Sequence, residues 1–120
     1  MLIPDYYKIT DSRPENGAIV FDIDINPDCR VYQGHFPEEP ICPGVCNIQM
    51  IKECAETICG KELRLLNLSQ CRLTSLMKPD LHGKVNVRME ISREALPYKF
   101  KASLYAGETV FMEMKGELSE

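Results

Sequence analysis

The segment Gly34-His35-Phe36-Pro37-Glu38-Glu39-Pro40-Ile41-Cys42-Pro43-Gly44-Val45 holds the densest run of chemistry-bearing residues in the chain. His35 is a candidate general base, because neutral imidazole is basic near pH 7. Gly44 opens a segment with helical spacing. The first N–H groups of a helix have no internal partner, and the helix dipole favours negative charge there. Gly44 is therefore a candidate donor to a developing oxyanion. Glycine also allows a ligand to approach the backbone closely. Gln49 and Glu53 follow on the same segment, four residues apart and so on one helical face. A carboxylate can cycle a proton, whereas a glutamine amide can only hydrogen-bond a hydroxyl. His82, in Leu81-His82-Gly83, reads as a turn residue.

The elements that must position these groups follow from periodicity. Residues 18–25 alternate, with Ile19, Phe21, Ile23 and Ile25 on one face and Asp22 and Asp24 opposite, which predicts a half-buried strand. Residues 26–43 carry four prolines and read as a long loop. Such loops in compact domains are usually functional. From Gly44 to Ile58, Val45, Ile48, Ile51, Ala55 and Ile58 recur at helical spacing. Cys46, Met50 and Cys54 make other faces apolar, so the helix is expected to be largely buried. Pro43 stands at its entry and Gly60 at its end. Beyond Gly60 about four strands are predicted. Leu63–Leu76 slips in its alternation, which suggests a bulge. Residues 84–92, Tyr98–Leu104 and 110–118 alternate cleanly, and Ala106-Gly107-Glu108 marks a hairpin. Met89, Met112 and Met114 fall at core positions or line an acyl tunnel. Tyr6 and Tyr7 are read as capping the sheet. The predicted class is α+β, with a curved antiparallel sheet around one central buried helix.

Composition bounds the rest. The chain has 120 residues, 44% of them hydrophobic and 27% charged, which fits one domain spanning 1–120 with a real core. Its net charge of −4 argues against a general nucleic-acid binder. There is no signal-peptide pattern and no long apolar run, so no membrane span and a cytoplasmic location are expected. The six cysteines are then expected as thiols in a reducing compartment. Their spacing does not suit zinc, and no metal is expected. Between residues 72 and 101, Arg72, Lys78, Lys84, Arg88, Arg93, Lys99 and Lys101 face only Asp80, Glu90 and Glu94 in the count of charges. That stretch is either the solvated face of a sheet or a landing patch for an acidic partner.

The sequence resembles the hotdog-fold 3-hydroxyacyl-acyl-carrier-protein dehydratases. The residues that carry the resemblance are Gly34-His35-Phe36-Pro37, Pro40 and Pro43-Gly44-Val45, at gap-free spacing before the central helix. More narrowly, Pro43-Gly44-Val45-Cys46-Asn47-Ile48-Gln49-Met50-Ile51-Lys52-Glu53 is similar to the variant dehydratases of aryl-polyene and flexirubin-type pigment assembly. The resemblance implies dehydration of 3-hydroxyacyl thioesters to 2-enoyl thioesters. His35 would be the base, Gly44 the oxyanion donor, and Phe36, Pro43 and Val45 would contact substrate. It implies no cofactor, the substrate arriving on the phosphopantetheine arm of an acyl carrier protein. It also implies a homodimer or a higher oligomer of dimers, with His35 of one subunit facing residue 49 of the other.

The family places a Glu or Asp where this chain has Gln49. Three readings compete. Gln49 orients the hydroxyl or a water while His35 makes both proton transfers; Glu53 acts as an alternative acid; or the protein is a non-catalytic acyl-binding or scaffold subunit. The first is preferred, because one turn of helix displaces a group by about 6 Å, a large offset for proton transfer. An acyl-thioester hydrolase is a further alternative, although the Gly-His-Phe-Pro signature is not typical of those enzymes.

Overall fold

The computed structural model describes residues 6–29, 42–79 and 81–120. Six strands form one antiparallel sheet in the order β1-β2-β4-β5-β6-β3. They are β1 (Tyr7–Glu15), β2 (Ala18–Ile25), β3 (Arg64–Leu73), β4 (Lys84–Ser92), β5 (Tyr98–Ala106) and β6 (Thr109–Ser119). One helix, α1 (Gly44–Cys59), follows β2 and lies across β4. The expected α+β architecture is therefore present, with β4, β5 and β6 close to their predicted limits.

Alternation explains why these strands wrap a helix. Val85, Val87 and Met89 of β4, Phe100, Ala102 and Leu104 of β5, and Met112, Met114 and Leu118 of β6 are all buried. Side chains two residues apart share a face, so these residues form one continuous apolar surface. Lys84, Arg88, Lys99 and Lys101 take the opposite face. Helix α1 completes the core with Cys46, Met50, Ile51, Cys54 and Ala55. Gly60 ends it in the left-handed conformation at φ 69°, its N–H donating to the Glu56 carbonyl. Gly107, at φ 57°, makes the β5–β6 turn between the paired residues Ala106 and Thr109.

Three expectations need correction. Strand β1 is absent from the sequence reading, which leaves Tyr6 and Tyr7 only as caps. Its sequence YKITDSRPE lacks alternation, and most of it is exposed. It is an edge strand, where Pro14 needs no donor on its outer side. In β2, Val20 is fully buried and Ile19 only partly. Val20 lies in register between Arg13 and Arg88, so it shares the face of those two residues. Finally, α1 is buried along one side only. Val45 is 76% exposed, whereas the polar Asn47 is 3% exposed. The buried stripe centres on 47, 50, 51, 54 and 55, leaving Gln49, Lys52, Glu53 and Glu56 at its margin.

The predicted irregularity in β3 is real and doubled. Its pairing with β6 shifts between Leu65 and Asn67 and again between Leu68 and Gln70. Gly116, opposite Leu68, sits between the two shifts. A Cβ there would come within 2.2 Å of the Asn67 carbonyl oxygen, a backbone atom that cannot swing away. Gly116→Ala is therefore expected to destabilise the fold by about 1–3 kcal/mol or more. Urea unfolding measures it, and an unchanged midpoint would refute the close approach.

Candidate functional site

The first turn of α1 is chemically open. Its N-cap is Pro43, which offers no side-chain oxygen, and no side chain among the described residues caps the helix. The Pro43 carbonyl accepts from the N–H groups of Cys46 and Asn47, both at 3.1 Å. The N–H groups of Gly44 and Val45 have no intrahelical acceptor. There is also no acidic side chain in the first turn to compete for them. An anion at this point would meet two N–H donors and the positive end of the dipole.

A cleft of about 530 Å³ opens at this turn. Pro43, Gly44, Val45 and Asn47 form its helix side, and Leu73, Thr74, Leu76, Met77 and Phe111 face them. The opposing wall is pinned. The Cys42 N–H donates to the Met77 carbonyl at 2.7 Å, and the Thr74 N–H donates to the Phe111 carbonyl at 2.9 Å. His82 stacks edge-on against Phe111 with centroids 4.8 Å apart. Its Nδ1 accepts from the Lys78 N–H at 3.0 Å, so the proton of the neutral ring lies on Nε2. His82 thus supports the cleft from behind as a turn residue.

A Cβ on Gly44 would lie 3.7 Å from a Leu73 methyl, an ordinary contact. Neither crowding within the described residues nor a positive φ requires glycine here.

Gln49 and Glu53 do not line this cleft. Five residues from Gly44 to Gln49 turn the helix by about 140°, so the two look in different directions. Gln49 Nε2 donates to Glu53 Oε2 at 2.9 Å, and the Tyr7 hydroxyl donates to Glu53 Oε1 at 2.6 Å. Because a carboxylate only accepts, the Gln49 amide must turn its NH₂ toward Glu53. Glu53 lines a separate open groove of about 890 Å³ with Tyr7, Lys52, Glu56, Lys61 and Arg64. Lys52 and Glu56 pair there at 3.3 Å, and Lys61 pairs with Glu120.

Of the sequence-predicted site residues, Pro43, Gly44 and Val45 come together on the cleft, and Gln49 joins Glu53. His35 and Phe36 lie outside the described residues, as do Gly34, Pro37 and Pro40. Among the basic residues of 72–101, Lys84 pairs with Asp24 at 3.1 Å and Arg88 with Glu90 at 3.5 Å. Arg72 is exposed and precedes Leu73 in β3. Two contacts were not legible in the sequence: Tyr7 to Glu53, and the Tyr6 hydroxyl to Asn47 Oδ1 at 2.8 Å. The one visible signal was Asn47 itself, a polar residue amid apolar ones.

A family model described as ApeI-like, ApeI dehydratase, matches residues 11–113. The chain belongs to the ApeI-like dehydratase family. Its fold agrees with that membership. The solved dehydratase heterocomplex ApeI:P from Xenorhabdus doucetiae contains a chain that aligns at TM-score 0.73 and 16% identity, covering 94% of this chain and 97% of that one. A protein from Erwinia carotovora subsp. atroseptica aligns at 0.62 and 18% identity, covering 91% and 88%. A conserved protein from Pseudomonas aeruginosa aligns at 0.62 and 10% identity, covering 91% and 86%. No curated protein matches the chain. This ApeI-like dehydratase thus has the hotdog fold.

The Tyr7 contact has a measurable signature. Burial raises the Tyr7 pKa above its ordinary value of 10.0, and Glu53, Cys54 and Glu56 add to the rise through the hydrogen bond and their charges. A raised folded pKa gives stability that is complete below pH 10 and is lost as pH climbs above it. Wild-type protein is expected to lose stability through that alkaline window, and Tyr7→Phe to show a flatter decline. Denaturant midpoints measured from pH 8 to 11.5 check this; parallel curves would refute it.

Proposed function

We propose that this ApeI-like dehydratase removes water from 3-hydroxyacyl thioesters carried on an acyl carrier protein, giving 2-enoyl thioesters in polyene or fatty-acid-like chain assembly. The observation that carries the reading is the uncapped start of α1 opening onto a largely apolar cleft. The thioester carbonyl is set beside the N–H groups of Gly44 and Val45, with the acyl chain along Leu73, Leu76, Met77 and Phe111. Phe36, Pro43 and Val45 contact substrate. No cofactor takes part, since the thioester itself makes the α proton acidic. The pantetheine arm delivers the chain, and the exposed Arg72 of β3 suits an acidic carrier.

His35 takes the α proton, and negative charge builds on the thioester oxygen at the helix start. The carbon–oxygen bond to the β-hydroxyl breaks as the double bond forms. The departing hydroxide collects the proton from the His35 imidazolium and leaves as water. Gln49 orients the hydroxyl. With its NH₂ turned to Glu53, its Oε1 remains to accept from that hydroxyl. Glu53 is less suited to be the acid, because its two oxygens already accept from Gln49 and Tyr7.

Gln49 faces away from the cleft of its own chain, which favours a site shared between two copies, with His35 of one subunit facing Gln49 of the other. The long edge strand β3, with Leu66 48%, Leu73 68% and Leu76 65% exposed along or beside it, offers the joining surface. Unpaired apolar edges of this kind call for cover. A second reading is favoured by one finding: the Xenorhabdus structure is by its own description a heterocomplex. Here the chain would act as a scaffold or binding subunit beside a different hotdog partner. Static light scattering of the purified chain separates the two. A dimer mass at micromolar concentration supports the shared homodimer, and a monomer that assembles only with another hotdog subunit supports the second reading.

The activity is tested by intact-mass analysis of a 3-hydroxyacyl carrier protein. Wild-type protein is expected to remove one water, and His35→Ala to abolish the loss. Gly44→Ala is expected to keep the wild-type melting temperature, because its methyl has room, yet to lose turnover. Gln49→Ala should lose much more rate than Glu53→Gln, and the reverse order would make Glu53 the acid. Release of free carrier thiol instead of water would indicate a hydrolase.

A further inference from the structure

Asn47 is a buried polar side chain among the core residues of α1. It is 3% exposed and lies one turn after Gly44, on the face that lines the cleft. Side chains on a helix lean toward its N-terminus, so Asn47 leans back over the Gly44 turn. Its Oδ1 is committed, accepting from the buried Tyr6 hydroxyl at 2.8 Å. A hydroxyl donates to an amide oxygen, which fixes the orientation of the carboxamide. The opposite end, Nδ2, then carries two N–H donors. Among the described residues no hydrogen bond engages them. Every fully enclosed side-chain nitrogen and oxygen among those residues does have a partner. The Asn47 Nδ2 is therefore not enclosed, and Asn47 is one of the residues that line the cleft.

A primary amide at the start of a helix core has a cost, since burying a polar group without full pairing is unfavourable. It meets that cost here only if something in the cleft accepts from it. The acceptor must be small, must reach the first turn of α1, and must gain from donors on two sides. A carbonyl oxygen that becomes negative fits, because Gly44 and Val45, whose N–H groups have no intrahelical acceptor, line the same cleft as Asn47. The bond from Tyr6 also polarises the amide and strengthens its donor end.

We propose that Asn47 donates through Nδ2 to the thioester oxygen of the substrate, adding a side-chain donor to the oxyanion hole made by the start of α1, with Tyr6 as its positioning residue. The assignment rests on the dehydratase reading given above. It differs from a structural role for Asn47, because the amide contributes more as charge develops on the oxygen than when substrate merely binds.

The test separates the donor from the fold. Asn47→Leu alone would remove the acceptor that Asn47 gives the buried Tyr6 hydroxyl. The double variant Tyr6→Phe/Asn47→Leu replaces both partners by apolar groups of similar shape, an exchange that can be nearly neutral for stability. It is assayed with a 3-hydroxyacyl carrier protein beside wild type. The double variant is expected to lose about a hundredfold in kcat, the scale of one oxyanion donor, with KM little changed. Tyr6→Phe, which leaves the amide in place, is expected to lose less than tenfold. A double variant with wild-type kcat would overturn the proposal, as would a loss confined to KM. An independent measurement needs no turnover. A saturated acyl-pantetheine thioester labelled with ¹³C at the carbonyl should show a lower carbonyl stretching frequency when bound to wild type, and a smaller shift with Asn47→Asp. Equal shifts would overturn the donor role. Absence of water loss in wild type together with a carbonyl shift that depends on Asn47 would count against the dehydratase reading and leave the donor standing.

Discussion

The rest of the structure depends on a helix that begins without a cap. Pro43 cannot offer a side-chain acceptor to the first turn of α1, and that turn holds no acidic residue of its own. A missing cap typically costs a helix about 1 kcal/mol. The sheet offsets that cost, because Met50, Ile51, Cys54 and Ala55 are almost wholly buried against its inner face. Burying side chains of this kind contributes far more than one cap. The helix can therefore start badly as long as its middle is held well. What remains at the start is a pair of N–H groups without intrahelical acceptors, on residues that line a cleft.

Much of this was legible in the sequence, for a physical reason. Strands β4, β5 and β6 each have one buried and one solvated face, and such strands declare themselves by alternation. The helix limits were legible because proline and glycine punctuate them. Strand β1 was not, since an edge strand carrying Thr10, Asp11, Ser12, Arg13 and Pro14 has little apolar pattern to show. The facing of α1 was also misjudged. Counting apolar residues made Val45 a core residue, whereas the sheet covers Asn47 and leaves Val45 to the cleft. Periodicity locates a helix better than it orients one whose apolar residues surround it.

The site divides in the same way. The types and spacing of His35, Pro43, Gly44 and Gln49 were visible along the chain. Their supports were not, because Tyr6 and Tyr7 reach the helix across more than 40 residues of sequence. Only the pairing of β1 with β2 brings them there. Adjacent tyrosines at one strand entry hold two different helix residues, Tyr6 at Asn47 and Tyr7 at Glu53. The least patterned strand in the protein thus fixes two side-chain orientations on its only helix among the described residues.

Leu73 closes one side of the cleft, opposite Gly44, and it also ends the outermost strand, β3. Under the proposed function, the wall that an acyl chain would touch and the margin that another subunit would cover are therefore one residue. Selection on either property acts on both. A lineage that exchanges its neighbour across β3 alters the shape of the pocket in the same event, and one that adapts to a longer or stiffer chain disturbs its own assembly. Diversity in this fold should then spread through paired changes, with subunit choice and substrate length inherited together.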